Sequence, residues 1–127
     1  MRLLPIAALG LAATAATAQL RDEPAITEGL IAVGMAYEIS EQCDSIDARK
    51  LTGITTLLGL RNQALSLGYS RDEVDAYIDD DAEKDRLEAI AWTRLEALGV
   101  TRSDPASFCT VGRARIAAGD AVGRLLR

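Results

Sequence analysis

Cys43 and Cys109 stand far apart, and no other cysteine is available to either. Paired, they would join an early part of the chain to a late one and confine everything between them to a closed loop. A bridge over a loop of about 67 residues stabilises by roughly 4 kcal/mol on the chain-entropy model. Pairing needs an oxidising compartment, because cytosolic thiols are kept reduced. The alternative is a pair of reactive thiols or a redox centre. That reading lacks the C-x-x-C spacing, and the chain has no histidine to lower a thiol pKa.

The N-terminus speaks to the compartment. Met1-Arg2 precedes an apolar run from Leu3 to Ala13, and Ala16-Thr17-Ala18 follows just before Gln19. A basic start, a short apolar stretch and an A-x-A box describe a secretory signal peptide. A membrane anchor would need about 20 apolar residues. Residues 1–18 therefore read as a signal peptide and residues 19–127 as a single helical domain. No cysteine follows the cleavage box, so a lipid anchor is not expected. The mature protein is expected to be soluble and periplasmic, with no membrane insertion after cleavage and with Cys43 and Cys109 paired.

Strand signals are almost absent from the mature chain, and alanine, leucine, arginine and glutamate favour helix. Pro24 suits the first position of a helix, with Ile26, Leu30, Val33 and Tyr37 as its apolar stripe. A second helix is expected from about Ala48 to Leu67. Its core face would be Leu51, Ile54, Leu58 and Leu65, and Gly68 offers a left-handed stop. Ser70-Arg71-Asp72-Glu73 is a capping box, flanked by Tyr69 and Val74 in staple positions. Leu87, Ile90, Ala91, Leu95 and Leu98 run half a turn out of phase with Ile78. A break at Asp79-Asp80-Asp81 resolves this, with an aspartate capping a new helix that ends before Gly99.

The last helix is expected to start at Asp104-Pro105 and to carry Phe108, Val111, Ile116, Val122 and Leu126 to the C-terminus. Gly112, Gly119 and Gly123 would mark close approach of a neighbour within it. The fold class is all-α: a compact bundle of four to five helices tied by one disulfide.

Charge alternates along the chain. Residues 22–47 carry acids and no base, and residues 48–70 carry bases and no acid. Residues 71–88 are again mainly acidic, and residues 105–127 mainly basic. Such blocks suit neighbouring helices with complementary rims. The net charge of -5 argues against nucleic acid as a partner.

The candidate chemistry is thin. Without histidine, a Ser-His-Asp or Cys-His nucleophile system cannot be assembled. The run from Asp79 to Asp85 resembles a calcium loop only superficially, because Lys84 and Ile90 occupy the places that need Gly and Glu. Glu38 with Glu41, or Glu83 with Glu88, could form an acid–base pair for glycoside hydrolysis, although surface acids read the same way. Arg113, Arg115, Arg124 and Arg127 form a basic cluster. Arg124 and Arg127 are accounted for by the dipole at a helix C-terminus, whereas Arg113 and Arg115 could instead grip a carboxylate or phosphate. Tyr37, Tyr69 and Tyr77 read as core or staple residues. No catalytic, cofactor-binding or metal-binding residue is assigned.

Gly68-Tyr69-Ser70 with Glu73-Val74, Ala76-Tyr77-Ile78-Asp79-Asp80, Glu83-Lys84-Asp85-Arg86-Leu87, and Phe108-Cys109 with Val111-Gly112-Arg113 carry a resemblance. The chain resembles a family of small exported bacterial helical proteins classed only as a domain of unknown function. The resemblance implies a signal peptide, paired cysteines and a helical domain, and it implies no activity. The function expected from the sequence is a periplasmic protein-interaction module without catalytic activity, partnered by another protein of the cell envelope. Two alternatives stand beside it: an acid-responsive periplasmic chaperone, and a histidine-free carboxylate hydrolase.

Overall fold

Local capping signals set three of the helix starts. Ser70 Oγ accepts a hydrogen bond from the Glu73 amide at 3.1 Å, and Glu73 Oε1 accepts one from the Ser70 amide at 3.1 Å. Asp80 caps the next helix through the Glu83 amide at 3.1 Å. Asp104, followed by Pro105, caps the last through the Ala106 amide at 3.1 Å. Each cap satisfies amides that a helix N-terminus otherwise leaves without partners.

The computed structural model describes residues 19–127, and the leader expected over residues 1–18 lies outside them. Among the described residues the α-helices are α1 (Pro24–Gln42), α2 (Lys50–Ser66), α3 (Arg71–Ile78), α4 (Asp81–Leu98) and α5 (Pro105–Ala118). Short 3-10 turns at Leu20–Asp22 and Gly123–Leu125 precede and follow them. The all-α class and the break between Ile78 and Asp81 are as expected. Gly68 and Gly99 take positive φ at the ends of α2 and α4, as their places in the sequence suggest.

Helix α1 is the spine, packing against α2, α4 and α5. Ile31, Met35, Ala36 and Ile39 of α1 meet Ala91 and Leu95 of α4, and Phe108 and Val111 of α5, in the main core. Trp92 meets Phe108 edge-on, with ring centres 6.0 Å apart. Cys43 and Cys109 are bonded with their Cα atoms 5.2 Å apart, which joins the end of α1 to the first turns of α5. A smaller cluster gathers Leu20, Ile26, Ala64, Tyr69 and Val74 under the junction of α2 and α3.

Three expectations need correction. The α1 stripe is shifted: Leu30 and Val33 are half-buried, and Tyr37 is 57% exposed. A helix with three neighbours buries a wider arc than the stripe of one with a single neighbour, and the arc centres on Ile31, Met35 and Ile39. Most of the expected core face of α2 lies at the surface instead, and of its four residues Leu65 alone is partly buried, against the smaller cluster. Leu51 is 80% exposed, Ile54 54% and Leu58 53%, and Ala64 is the helix's one buried residue. Helix α2 rests on α1 through Leu60, whose side chain fills the space a Cβ on Gly29 would need.

The third correction concerns the last helix, which stops at Ala118 instead of reaching the C-terminus. Gly119 adopts a left-handed φ of 64°, and the chain turns back. Asp120 holds the turn, accepting from Arg115 at 2.9 Å and from the Gly123 amide at 2.8 Å. Val122 and Leu126 are still buried, but from a returning tail, while Ile116 faces outward. The tail then pairs with the α1–α2 loop. The Asp47 amide donates to the Arg127 carbonyl at 2.8 Å, and the Arg49 amide donates to the Leu125 carbonyl at 2.8 Å. Gly112 and Gly123 do lie at close approaches, the latter against the Arg115 backbone, whereas open space surrounds Gly119.

Glycine pairs give opposite expected outcomes. A Cβ on Gly112 would sit 2.6 Å from Ile46 Cδ1 and 2.7 Å from Ile39 Cγ2, both in buried side chains. Gly112→Ala should lower unfolding free energy by about 1–3 kcal/mol through overpacking. Gly59 in α2 meets nothing within 4 Å. Gly59→Ala should raise it by up to ~1 kcal/mol through helix propensity. Urea denaturation with the disulfide intact reads both.

Candidate functional site

The stranded apolar face of α2 is one wall of a cleft of about 650 Å³. Ile26, Leu30, Ile31 and Gly34 of α1 form its floor, and Ile54, Leu57 and Leu58 stand on the α2 side. The opposite wall comes from Val74, Tyr77 and Ile78 of α3 and from Leu87 and Ala91 of α4. Gly34 lets α1 and α4 converge, since a Cβ there would lie 3.8 Å from that of Ala91. The size falls within the range of ligand pockets, roughly 300–1,000 Å³. A separate hollow of about 620 Å³ beside Asp47, Lys50 and Arg127 is polar.

Few polar groups reach the cleft, and their states differ. Glu83 is 8% exposed. Arg86 donates to both its oxygens, at 2.8 and 2.9 Å, and Tyr77 donates its hydroxyl at 3.1 Å. Arg21 approaches to 3.6 Å. These partners, Arg86 first, hold the Glu83 carboxyl below the usual glutamate range against the opposing effect of burial. Burial, followed by that same bond to Glu83, raises the Tyr77 phenol. Glu83 is thus an ionised structural anchor, poorly suited to donate a proton.

Glu38 is the opposite case. Burial raises its pKa first, and the charges of Glu88 and Glu41 add to the rise, while Arg102 opposes them. Glu38 and Glu88 both line the cleft, and neither makes an ion pair or side-chain hydrogen bond among the described residues. Arg102 is engaged elsewhere, bonded to Glu96 at 2.9 Å and stacked 4.1 Å above the Trp92 ring. Arg61 of α2 lines the cleft without an acidic partner among the described residues, and Lys84 lies 3.9 Å from Asp81.

The candidate residues therefore regroup. Glu38 comes together with Glu88 and Glu41, while Glu83 is taken by arginines. The basic cluster disperses. Arg113 donates to Ser45 Oγ at 2.9 Å beside the disulfide, Arg115 binds Asp120, and Arg127 pairs through its backbone with Asp47. Arg124 and Arg127 lie beyond the end of α5, so the dipole account expected for them does not hold. Of the tyrosines, Tyr69 is buried and Tyr77 half-buried, but Tyr37 lines the cleft in contact with solvent. Leu57 had no signal of its own in the sequence. Among the described residues, no group of three or more His, Cys, Asp or Glu is placed to hold a metal ion.

The two carboxyls predict opposite pH behaviour. Glu83 is held below its ordinary 4.5, so its contribution is present above that value and is lost as pH falls through the lowered one. Glu83→Gln should cost about 1–3 kcal/mol at pH 7, with the deficit shrinking below pH 4.5. Glu38 is raised above 4.5, so the fold favours its protonated form, and that preference costs stability once the pH exceeds the raised value. Glu38→Gln should stabilise at pH 7 by less than about 1 kcal/mol and change little in acid. Urea titrations at the two pH values measure both.

No curated protein and no solved structure matches the chain. A family model described as a family of unknown function (DUF5333) matches residues 18–127. The match takes in every helix of the structure, and the chain belongs to that family of unknown function.

Proposed function

We propose that this protein is an exported, periplasmic binding module without catalytic activity, and that its cleft holds an amphipathic helix of a protein partner in the cell envelope. The observation that carries this reading is the 650 Å³ cleft, walled by apolar side chains of four helices. Ile54, Leu58 and Arg61 follow one another at helical spacing along its α2 edge, the pattern by which one helix receives another. Ile54 and Leu58 would each gain roughly 1.5–3 kcal/mol if fully buried.

Charge narrows the partner's chemistry. Glu38 and Glu88 border the cleft with no cation bonded to them among the described residues, so a helix with lysine or arginine beside its apolar stripe fits best. The Cys43–Cys109 bridge supports export, since such bonds persist in oxidising compartments. No helix among the described residues is long and apolar enough to cross a membrane.

Binding of a synthetic amphipathic helix peptide, with a leucine stripe flanked by lysines, tests the reading by calorimetry. We expect micromolar affinity, weakened about tenfold or more by Leu57→Asp in the protein or by glutamates replacing the peptide's lysines. Circular dichroism would establish that the variant is folded. Equal binding to wild type and Leu57→Asp, or no binding to either, would overturn the proposal.

A further inference from the structure

We infer that, until a partner displaces it, the helix lying in the cleft is α2 of a second copy of this chain, so that two copies close on each other about a twofold axis. The inference rests on the proposed reading of the cleft as a helix receptor and names the occupant of that same site. Its basis is self-complementarity. Helix α2 has the chemistry the cleft asks for: a stripe of Leu51, Ile54 and Leu58 on its solvent side, and Arg61 beside it with no acidic partner among the described residues. Residues 48–70, which span α2, contain no acid at all.

The receiving surface is apolar and bordered by Glu38 and Glu88, two carboxylates without a cation bonded to them among the described residues. A second α2 laid antiparallel along the first would cover both leucine stripes at once. It would also carry each Arg61 towards the other copy's carboxylates. A twofold contact uses the same patch on both chains, and here the donor helix and the acceptor wall belong to one cleft, so the contact closes without leaving a further copy to add.

Sedimentation equilibrium on the folded, disulfide-bonded chain tests the inference. The expected mass is that of a dimer at micromolar concentration. Leu58→Glu should shift it to monomer, because it places a charge within the stripe. Glu88→Arg should weaken the dimer about tenfold or more, and Arg61→Glu, set against Glu38 and Glu88, should weaken it likewise. Leu98→Glu, at an exposed leucine outside the cleft, should leave the dimer unchanged. Circular dichroism would check that each variant folds.

A wild-type chain that stays monomeric, or a dimer that Leu58→Glu leaves intact, overturns the inference. The lysine-flanked peptide separates the two proposals. If it binds a monomeric wild type through the cleft, the receptor reading stands and self-occupation falls. If the dimer forms through Leu58 but the peptide neither binds nor dissociates it, self-association stands and the role as a receptor for a partner helix falls.

Discussion

The burial of α1 on three sides is the constraint on which the rest of the molecule depends. Ile39 is fully buried and Cys43 nearly so, and the same helix supplies Ile31, Met35 and Ala36 to the main core. Three neighbours on one 19-residue helix leave little of its surface for any one of them. Helices α4 and α5 take the large side chains, through Leu95 and Phe108, and the disulfide adds a covalent tie on the α5 side. Helix α2 receives what remains: Leu60 against Gly29, and Ala64 in the small cluster. The exposed leucines of α2 thus follow from how α1 is shared.

That hierarchy also explains which features were legible in the sequence. The caps at Ser70, Asp80 and Asp104 were readable because a cap involves a side chain and amides two or three residues away. Gly68 and Gly99 were readable for the same local reason. The cysteine pairing followed from the count of cysteines and the expected compartment. The buried faces of α1 and α2 were not readable, because periodicity places apolar residues on one side of a helix without saying how many neighbours share it. Leu51, Ile54 and Leu58 have the spacing of a core stripe, and only the packing of other helices decides that they are exposed and that Ile54 and Leu58 border a cleft. The returning tail was missed because Val122 and Leu126 keep helical phase with Val111 although the helix has ended; the Asp120 turn that ends it is a local signal that the apolar pattern obscured.

Electrostatics divides the cleft into a fixed part and an open part. At Glu83, two arginines and a tyrosine surround one carboxylate, and their combined pull outweighs the cost of its burial. At Glu38, two further acids stand near and the opposing arginine is committed to Glu96 and Trp92, so it offsets burial only in part. Acidic and basic segments alternate along the sequence, yet the charges do not all cancel within one chain. Glu38 of α1, Glu88 of α4 and Arg61 of α2, none of them in an ion pair among the described residues, are gathered at the cleft. Exposed ion pairs contribute little when a chain already holds itself together. Charges left uncancelled at an apolar surface weigh more in selecting what approaches it.

An apolar stripe left in water usually invites collapse, and the way α2 is anchored explains why the cleft stays open. At its start, the Arg49 amide donates to the Leu125 carbonyl at 2.8 Å, and Ala48 pairs with Leu126 in an antiparallel bridge. Beyond its end, the Tyr69 hydroxyl donates to Glu23 at 2.7 Å, a bond that with burial and nearby acids pushes the phenol up to about 12. Both anchors lie outside the helix and join it to the two ends of the described chain. Between them α2 is supported from beneath by Leu60 and Ala64, so it need not turn its leucines inward to stay in place. A wall held at both ends is already in position when a second helix arrives, and binding then costs less ordering than it would for a mobile segment.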